Sequence, residues 1–264
     1  MPVSDWFSTW AAGSELPIGA ASELLERGFV VLPGPVPSDQ MERLVNAYDA
    51  AVSSAIDNDV RIGSASTRVN DFVNRGAEFD GLYVFPPLLE ACCRVIGRPF
   101  KLSSLHARTL RSCSPAEELH VDVRRDSADW PLLGFILMVD GFRPDNGATR
   151  FVPGSHRWSS SPGETTPNLK DEHLGEVFAC GSAGSLLIFN GSAWHGHFAN
   201  TSTGPRRSLQ GAFIPRGGRA ATDFMARMPV ETRARLGPAA RYVLDGQAAS
   251  RNAFQCPSPS PLRP

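Results

Sequence analysis

The sequence predicts a mainly β domain with flanking helices, built as a jelly roll, and three observations carry that prediction. From residue 99 onward, short β-type stretches recur at 100–111, 119–123, 132–140, 148–152, 176–179, 184–190, 194–199 and 206–214. Clusters of Gly, Pro, Asn and Asp separate them, as at Asp145-Asn146-Gly147 and Pro153-Gly154-Ser155. A helical part precedes them. Eight short strands behind such a part fit two packed sheets with helices outside.

Each element has a local reason. Residues 1–17 are polar and carry Trp6, Phe7 and Trp10, an N-terminal arm that packs on the body or on a second subunit. Residues 18–28 form a helix that runs into the strand Phe29-Val30-Val31-Leu32, which Pro33-Gly34 stops. Ser38 or Asp39 caps the next helix. Met41, Leu44, Val45, Tyr48, Ala51 and Val52 recur at three- and four-residue steps along it, to about residue 55. Residues 56–82, with Arg68, Asn70, Asp71 and Arg75, read as a polar loop bordering a pocket. A helix over 87–97 carries Cys92 and Cys93 as core residues. Helix returns over 218–247, as Thr222 to Met228 and Val230 to Leu236 before a break at Gly237-Pro238. The expected organisation is one domain over 18–247, its jelly-roll core at about 99–216, and a disordered Pro- and Ser-rich tail over 248–264.

Bulk properties exclude several function classes. Of 264 residues, 42% are hydrophobic, enough for a core, and the formal net charge is −1, so no strong field invites nucleic acid or an anionic membrane. No apolar run is long enough to span a bilayer, and the N-terminus lacks the pattern of a secretory signal. Five cysteines without C-x-x-C spacing argue against a disulfide framework and for a reducing, cytoplasmic setting.

The chemistry gathers in three stretches. In Glu118-Leu119-His120-Val121-Asp122-Val123, strand alternation puts His120 and Asp122 on one face, where they can grip one metal ion. With a second histidine they make a 2-His-1-carboxylate set, which suits non-haem Fe(II) and oxygen chemistry. The stretch from Gly184 to Asn200 offers His195 and His197 on one face, and either can supply that ligand. Arg206 lies 11 residues after His195 and shares a strand face with Ser208. A guanidinium fork plus a hydroxyl can hold a carboxylate. The third stretch, Asp145 to Trp158, is a connection in which His156 reads as structural. Arg108, Arg111, Arg124 and Arg125 flank the first ligands. They suit an anionic substrate, or a solvated face in which Arg124 and Arg125 pair with Asp126 and Asp129.

In this order the stretches resemble the phytanoyl-CoA dioxygenase family of Fe(II)- and 2-oxoglutarate-dependent oxygenases. The matching residues are His120-x-Asp122; then Asn146-Gly147 and Val152-Pro153-Gly154-Ser155-His156; then Gly184-x-Leu186-Leu187-x-Phe189, Trp194-His195-Gly196 and Asn200; then Pro205-Arg206-Arg207. The resemblance spans roughly residues 25–216. It implies a double-stranded β-helix and an Fe(II) centre held by His120, Asp122 and His195. His195 is chosen over His197 because Gly196 follows it and Asn200 stands five residues on. It implies 2-oxoglutarate and O2 as cosubstrates, with the distal carboxylate of 2-oxoglutarate on Arg206, aided by Ser208, and Phe135 packed on the cosubstrate. One departure is Val121, where the family often has Gln; alternation turns that side chain away from the metal. Related halogenases lack the carboxylate, so Asp122 implies hydroxylation first, with desaturation, epoxidation or cyclisation open to the same chemistry. The expected substrate is a small molecule of secondary metabolism, acted on by a monomer or homodimer, with no nucleic acid or membrane partner. Two other readings are a non-oxygenase metal protein on the same barrel and a silent binding protein.

Overall fold

The computed structural model describes residues 5–125, 130–165 and 168–244. The tail expected over 248–264 lies outside the described residues. In chain order the helices are α1 (Trp6–Ala11), α2 (Ile18–Arg27), α3 (Met41–Ser53), α4 (Pro86–Ile96), α5 (Pro162–Thr165), α6 (Val230–Arg235) and α7 (Pro238–Leu244). The strands are β1 (Phe29–Pro33), β2 (Val60–Ile62), β3 (Ser66–Val69), β4 (Phe100–Leu110), β5 (Leu133–Met138), β6 (Thr149–Phe151), β7 (Val177–Ala179), β8 (Ser185–Asn190), β9 (His195–His197) and β10 (Arg206–Pro215).

Two antiparallel sheets form the jelly roll. The larger runs β1-β8-β5-β10-β4-β3-β2 and the smaller β7-β6-β9. Alternation along each strand of the large sheet separates two cores. Leu133, Phe135 and Leu137 of β5, with Leu209 and Phe213 of β10, face outward to the residues of α2, α3, α4 and α7. Ile136 and Met138 of β5, with Leu187 and Phe189 of β8, face inward against Phe151 of the small sheet. Burial on both faces explains the unbroken apolar run of β5.

The N-terminal arm packs on the body: α1 lies on α4, Trp10 stacks on Phe100 at 5.6 Å, and the Glu90 carboxylate accepts from the Leu16 amide at 2.8 Å. Three local expectations need correction. Within the region read as loop, β2 and β3 form a hairpin that ends the large sheet. Residues 222–228 form turns rather than a helix. The segment is short, Pro229 ends it, and Arg227 reaches back to Asp59 at 2.6 and 2.9 Å. Lastly, 119–123 is not a continuous strand. His120 makes a single bridge to His195, and the chain then bends because the Gly191 carbonyl takes the amides of both Asp122 and Val123.

Candidate metal and cosubstrate site

His195 is set by the small sheet. β9 pairs with β6, placing Phe151 opposite His195 and Thr149 opposite His197. The Phe151 ring stacks on the His195 imidazole at 5.5 Å, and Phe189 lies 4.8 Å from it. The Ser155 hydroxyl accepts from the Trp194 amide at 2.8 Å and donates to the Val152 carbonyl at 2.6 Å. The Val-Pro-Gly-Ser turn thereby fixes the backbone one residue before His195. Gly196 lets the first-ligand segment close in, since a Cβ there would stand 3.0 Å from the Glu118 carbonyl oxygen. The result is the mutual pairing of His120 and His195, amide to carbonyl in both directions at 2.9 and 3.0 Å.

This pairing brings three side chains together. One ligand atom each from His120, Asp122 and His195 lies within 4.8 Å of the others. His120 Nε2 is 3.9 Å from Asp122 Oδ1, and His195 Nε2 is 3.7 Å from Asp122 Oδ2. Both rings are oriented alike. His120 Nδ1 is 2.9 Å from the Glu118 carbonyl and His195 Nδ1 is 2.8 Å from the Ala193 carbonyl. A carbonyl only accepts, so each Nδ1 carries the proton and each Nε2 presents its lone pair to the cluster. Burial, opposed by the Asp122 charge, lowers the His195 pKa and favours the neutral form that binds metals. Two oriented imidazole nitrogens and a carboxylate fit a divalent first-row metal, with the remaining positions open.

His197 shares the strand face but lies outside this cluster. Its Nδ1 donates to the Phe198 carbonyl at 2.8 Å, and its Nε2 stands 3.9 Å from Glu117. Burial, then Arg108, pushes its pKa down to about 4. Glu117 in turn holds Arg108 at 2.9 Å, and despite burial that cation lowers its carboxyl pKa to about 2. Glu117 and His106 were not singled out in the sequence. Their roles arise across elements: His106, next to Gln210, is a half-buried residue of β4 whose Nε2 is buried and lacks a partner.

Arg206 lies at the start of β10, 1% exposed, its guanidinium 4.0 Å above the Phe142 ring. Its Nε and Nη1 have no hydrogen-bond partner. Burial first, then Arg108, lowers its pKa to about 9, so the charge persists at neutral pH but is poorly compensated. A buried orphaned fork of this kind fits a carboxylate. The Ser208 hydroxyl on the same face donates to the Arg108 carbonyl at 3.2 Å and accepts from Gln210 at 3.2 Å.

Phe135 is a correction. It borders the cavity, but its ring lies on the outer face of the large sheet, 5.6 Å from Phe213 and over Gly211, where a Cβ would stand 2.3 Å from the ring. Ile136, one residue on, faces the interior. Of the flanking arginines, Arg111 donates to the Gly63 and Ser64 carbonyls, Arg124 reaches Glu164 at 3.5 Å and Arg125 covers Trp130. The expected partners Asp126 and Asp129 lie outside the described residues. His156 is structural, its Nε2 3.2 Å from the Leu25 carbonyl. A cavity of about 280 Å³ joins the triad to Arg108, His106, Thr149 and Gln210.

A jelly roll with a 2-His-1-carboxylate cluster and a buried, unpartnered arginine inside the barrel fits an oxygenase-type site. The phytanoyl-CoA dioxygenase (PhyH) family model matches residues 24–208, so the chain belongs to that family of Fe(II)- and 2-oxoglutarate-dependent dioxygenases, and it is an enzyme of that class. Dioxygenase cdmA of Talaromyces verruculosus is 37% identical over 103 residues, 36% of this chain and 33% of that protein. Dioxygenase trt7 of Aspergillus terreus is 27% identical over 229 residues, 75% of this chain and 73% of that protein. Among solved structures, HygX from Streptomyces hygroscopicus, with nickel and 2-oxoglutarate bound, shares the fold. The TM-score is 0.62 at 16% identity, covering 78% of this chain and 89% of that one. No described helix is long and apolar enough to cross a membrane.

Proposed function

We propose that the chain hydroxylates an unactivated C–H bond of a small organic molecule in secondary metabolism, with His120, Asp122 and His195 as the iron ligands. The observation that carries this reading is the cluster of three ligand atoms within 4.8 Å, both imidazoles turned with Nε2 inward. Iron with 2-oxoglutarate and O2, when bound there, supplies an oxidant strong enough for a C–H bond, releasing succinate and CO2.

The chain's own residues do the positioning. The backbone carbonyls of Glu118 and Ala193 hold the two imidazoles in one tautomer. Arg206 holds the distal carboxylate of 2-oxoglutarate, which answers its unpartnered N–H groups. Ser208, already bonded to Arg108 and Gln210, sets the polar floor beside it. Phe29, Phe151 and Phe189 wall the inner core behind His195 and keep water from that side. The fungal relatives are named dioxygenases, which supports the class of reaction. Among the described residues Cys92, Cys93, Cys113 and Cys180 are free thiols, which supports a reducing compartment such as the cytoplasm. Desaturation, epoxidation and cyclisation are the other outcomes open to the same site.

The test is succinate release from 2-oxoglutarate under Fe(II) and O2 across a panel of small molecules, with product masses read in parallel. Substrate-dependent succinate with a gain of one oxygen supports hydroxylation. A loss of two hydrogens reassigns the outcome, and turnover that survives loss of Asp122 sinks the ligand assignment.

A further inference from the structure

We propose that the substrate carries a carboxylate, held by Arg68 at the mouth of the metal cavity. This deepens the oxygenase reading and rests on it.

Arg68 lies on β3, directly opposite Arg108 of β4 in the strand register. Two guanidinium groups opposite one another repel. The pair is resolved on one side only. Arg108 bonds Glu117 at 2.9 Å and the Ser66 hydroxyl at 3.2 Å. Arg68 has no hydrogen bond or ion pair among the described residues. Partial burial, then Arg108, pushes its pKa below the usual guanidinium range, while Glu117 and Asp122 pull the other way. Its charge thus lies within electrostatic reach of the metal-side carboxylate and lacks an anion of its own.

The space around Arg68 is shaped for a ligand. A cleft of about 540 Å³ lies between the β2–β3 hairpin and the segment from Pro115 to Glu118. It shares Arg68, Arg108, Glu117 and His197 with the cavity that contains the triad. The two cations that line it beside these are engaged. Arg61 donates to the carbonyls of Asn58 and Val60, and Lys170 stands 3.9 Å from Glu118. The triad is also open on one side: the side chains of His120 and Asp122 are 39% and 35% exposed, against 8% for His195. A small molecule entering this cleft meets a free planar fork before it meets the metal ligands. One fork with two parallel N–H donors matches a carboxylate, and the cleft volume suits a ligand of ordinary metabolite size.

The test uses the full chain and a panel of small organic acids, each paired with its methyl ester and with the phosphate monoester of the matching alcohol. Binding is read by saturation-transfer NMR and titration calorimetry, with and without Mn(II) and 2-oxoglutarate. Acids should bind the wild type more tightly than their esters. Arg68→Gln should weaken the acids about tenfold or more and leave the esters unchanged, and Arg68→Lys should restore part of the loss. Mn(II) and 2-oxoglutarate affinities should be the same in all three proteins. Acids binding no better than esters overturns the proposal, as does a loss in Arg68→Gln that falls on acids and esters alike. Phosphate monoesters outcompeting the acids overturns the carboxylate. Weakened 2-oxoglutarate binding in Arg68→Gln reassigns the residue to the cosubstrate. Failure of Mn(II) to bind the wild type sinks the oxygenase reading, while the metal-free acid and ester comparison still decides Arg68.

Discussion

The large sheet presents Leu105, Ala107, Leu209 and Phe213 to the helices on one side, and His106, Arg108, Arg206, Ser208 and Gln210 to the barrel interior on the other. The same two strands, β4 and β10, make both faces. Outside, apolar packing dominates and the polar groups are paired, as Tyr48 is with the Thr109 hydroxyl at 2.9 Å. Inside, Arg206 Nε and Nη1 and His106 Nε2 are buried without partners. Unpaired polar groups in a low-dielectric interior cost stability. Between the two faces of β4 and β10, the inner one carries that cost among the described residues, which fits the cosubstrate role proposed for Arg206. Two neighbours show the contrast within one dipeptide. Arg207 points outward and is met by Asp140 and Asp49, both at 2.7 Å, whereas Arg206 points inward and is met by the face of Phe142.

The sharpest way to break this comparison is to remove a metal ligand. Asp122→Ala should abolish metal binding and 2-oxoglutarate-dependent succinate release, a loss of at least about 10²-fold. Asp122 is partly exposed and outside both cores, so the melting temperature of the metal-free protein should hold. Calorimetric titration with Mn(II) and a thermal melt check both halves. Next is Arg206→Met. Loss of a charge-assisted fork should raise the 2-oxoglutarate requirement by about 10²-fold. Without cosubstrate the variant should melt no lower than wild type, because an unpaired buried charge has been replaced by an apolar chain of similar length. Arg207→Gln should do the reverse, lowering stability by about 1–3 kcal/mol through lost charged hydrogen bonds and leaving cosubstrate affinity intact. A variant of Arg206 that only destabilises would erase the distinction.

His106 sharpens the inner face by pH. Burial, then Arg68 and Arg108, pushes its pKa down to about 3, against 6.5 unfolded. Protons therefore bind the unfolded chain first. The contribution to stability is complete above pH 6.5 and is lost as pH falls toward 3, at up to about 1.4 kcal/mol per unit. Denaturant melts from pH 7 to 4 should show His106→Gln with a shallower loss than wild type. Parallel curves would mean that His106 is not held neutral by its surroundings.

Much of this was legible in the chain. Turn chemistry at Asn146-Gly147 and Pro153-Gly154-Ser155 and the apolar strands located seven of the eight core strands within a few residues. The eighth failed at Asp122 because Val121 and Val123 continue a strand pattern that one carbonyl, Gly191, interrupts from 69 positions away. The β2–β3 hairpin hid behind polar residues, since two short strands carrying Arg61, Ser66, Thr67 and Arg68 show little apolar alternation. Glu117 left no local signal, because its meaning comes from Arg108 on another strand.

Phe135 shows the limit of alternation most plainly, and gives the smallest of the expected effects. Leu133 to Met138 is buried at every position, so both faces are apolar and the pattern carries no face assignment. A one-residue slip then moves the whole strand's side chains to the wrong side. The structure puts Phe135 outward with Phe213 and Ile136 inward. Phe135→Leu should therefore cost about 1–1.5 kcal/mol of stability in denaturant melts, as a near-volume-conserving change in a packed core. It should leave the 2-oxoglutarate KM unmoved. Ile136→Ala, on the cavity side, should raise that KM. If Phe135→Leu changed the KM and Ile136→Ala did not, the ring would belong to the cosubstrate after all, and the register of β5 would have to be reversed.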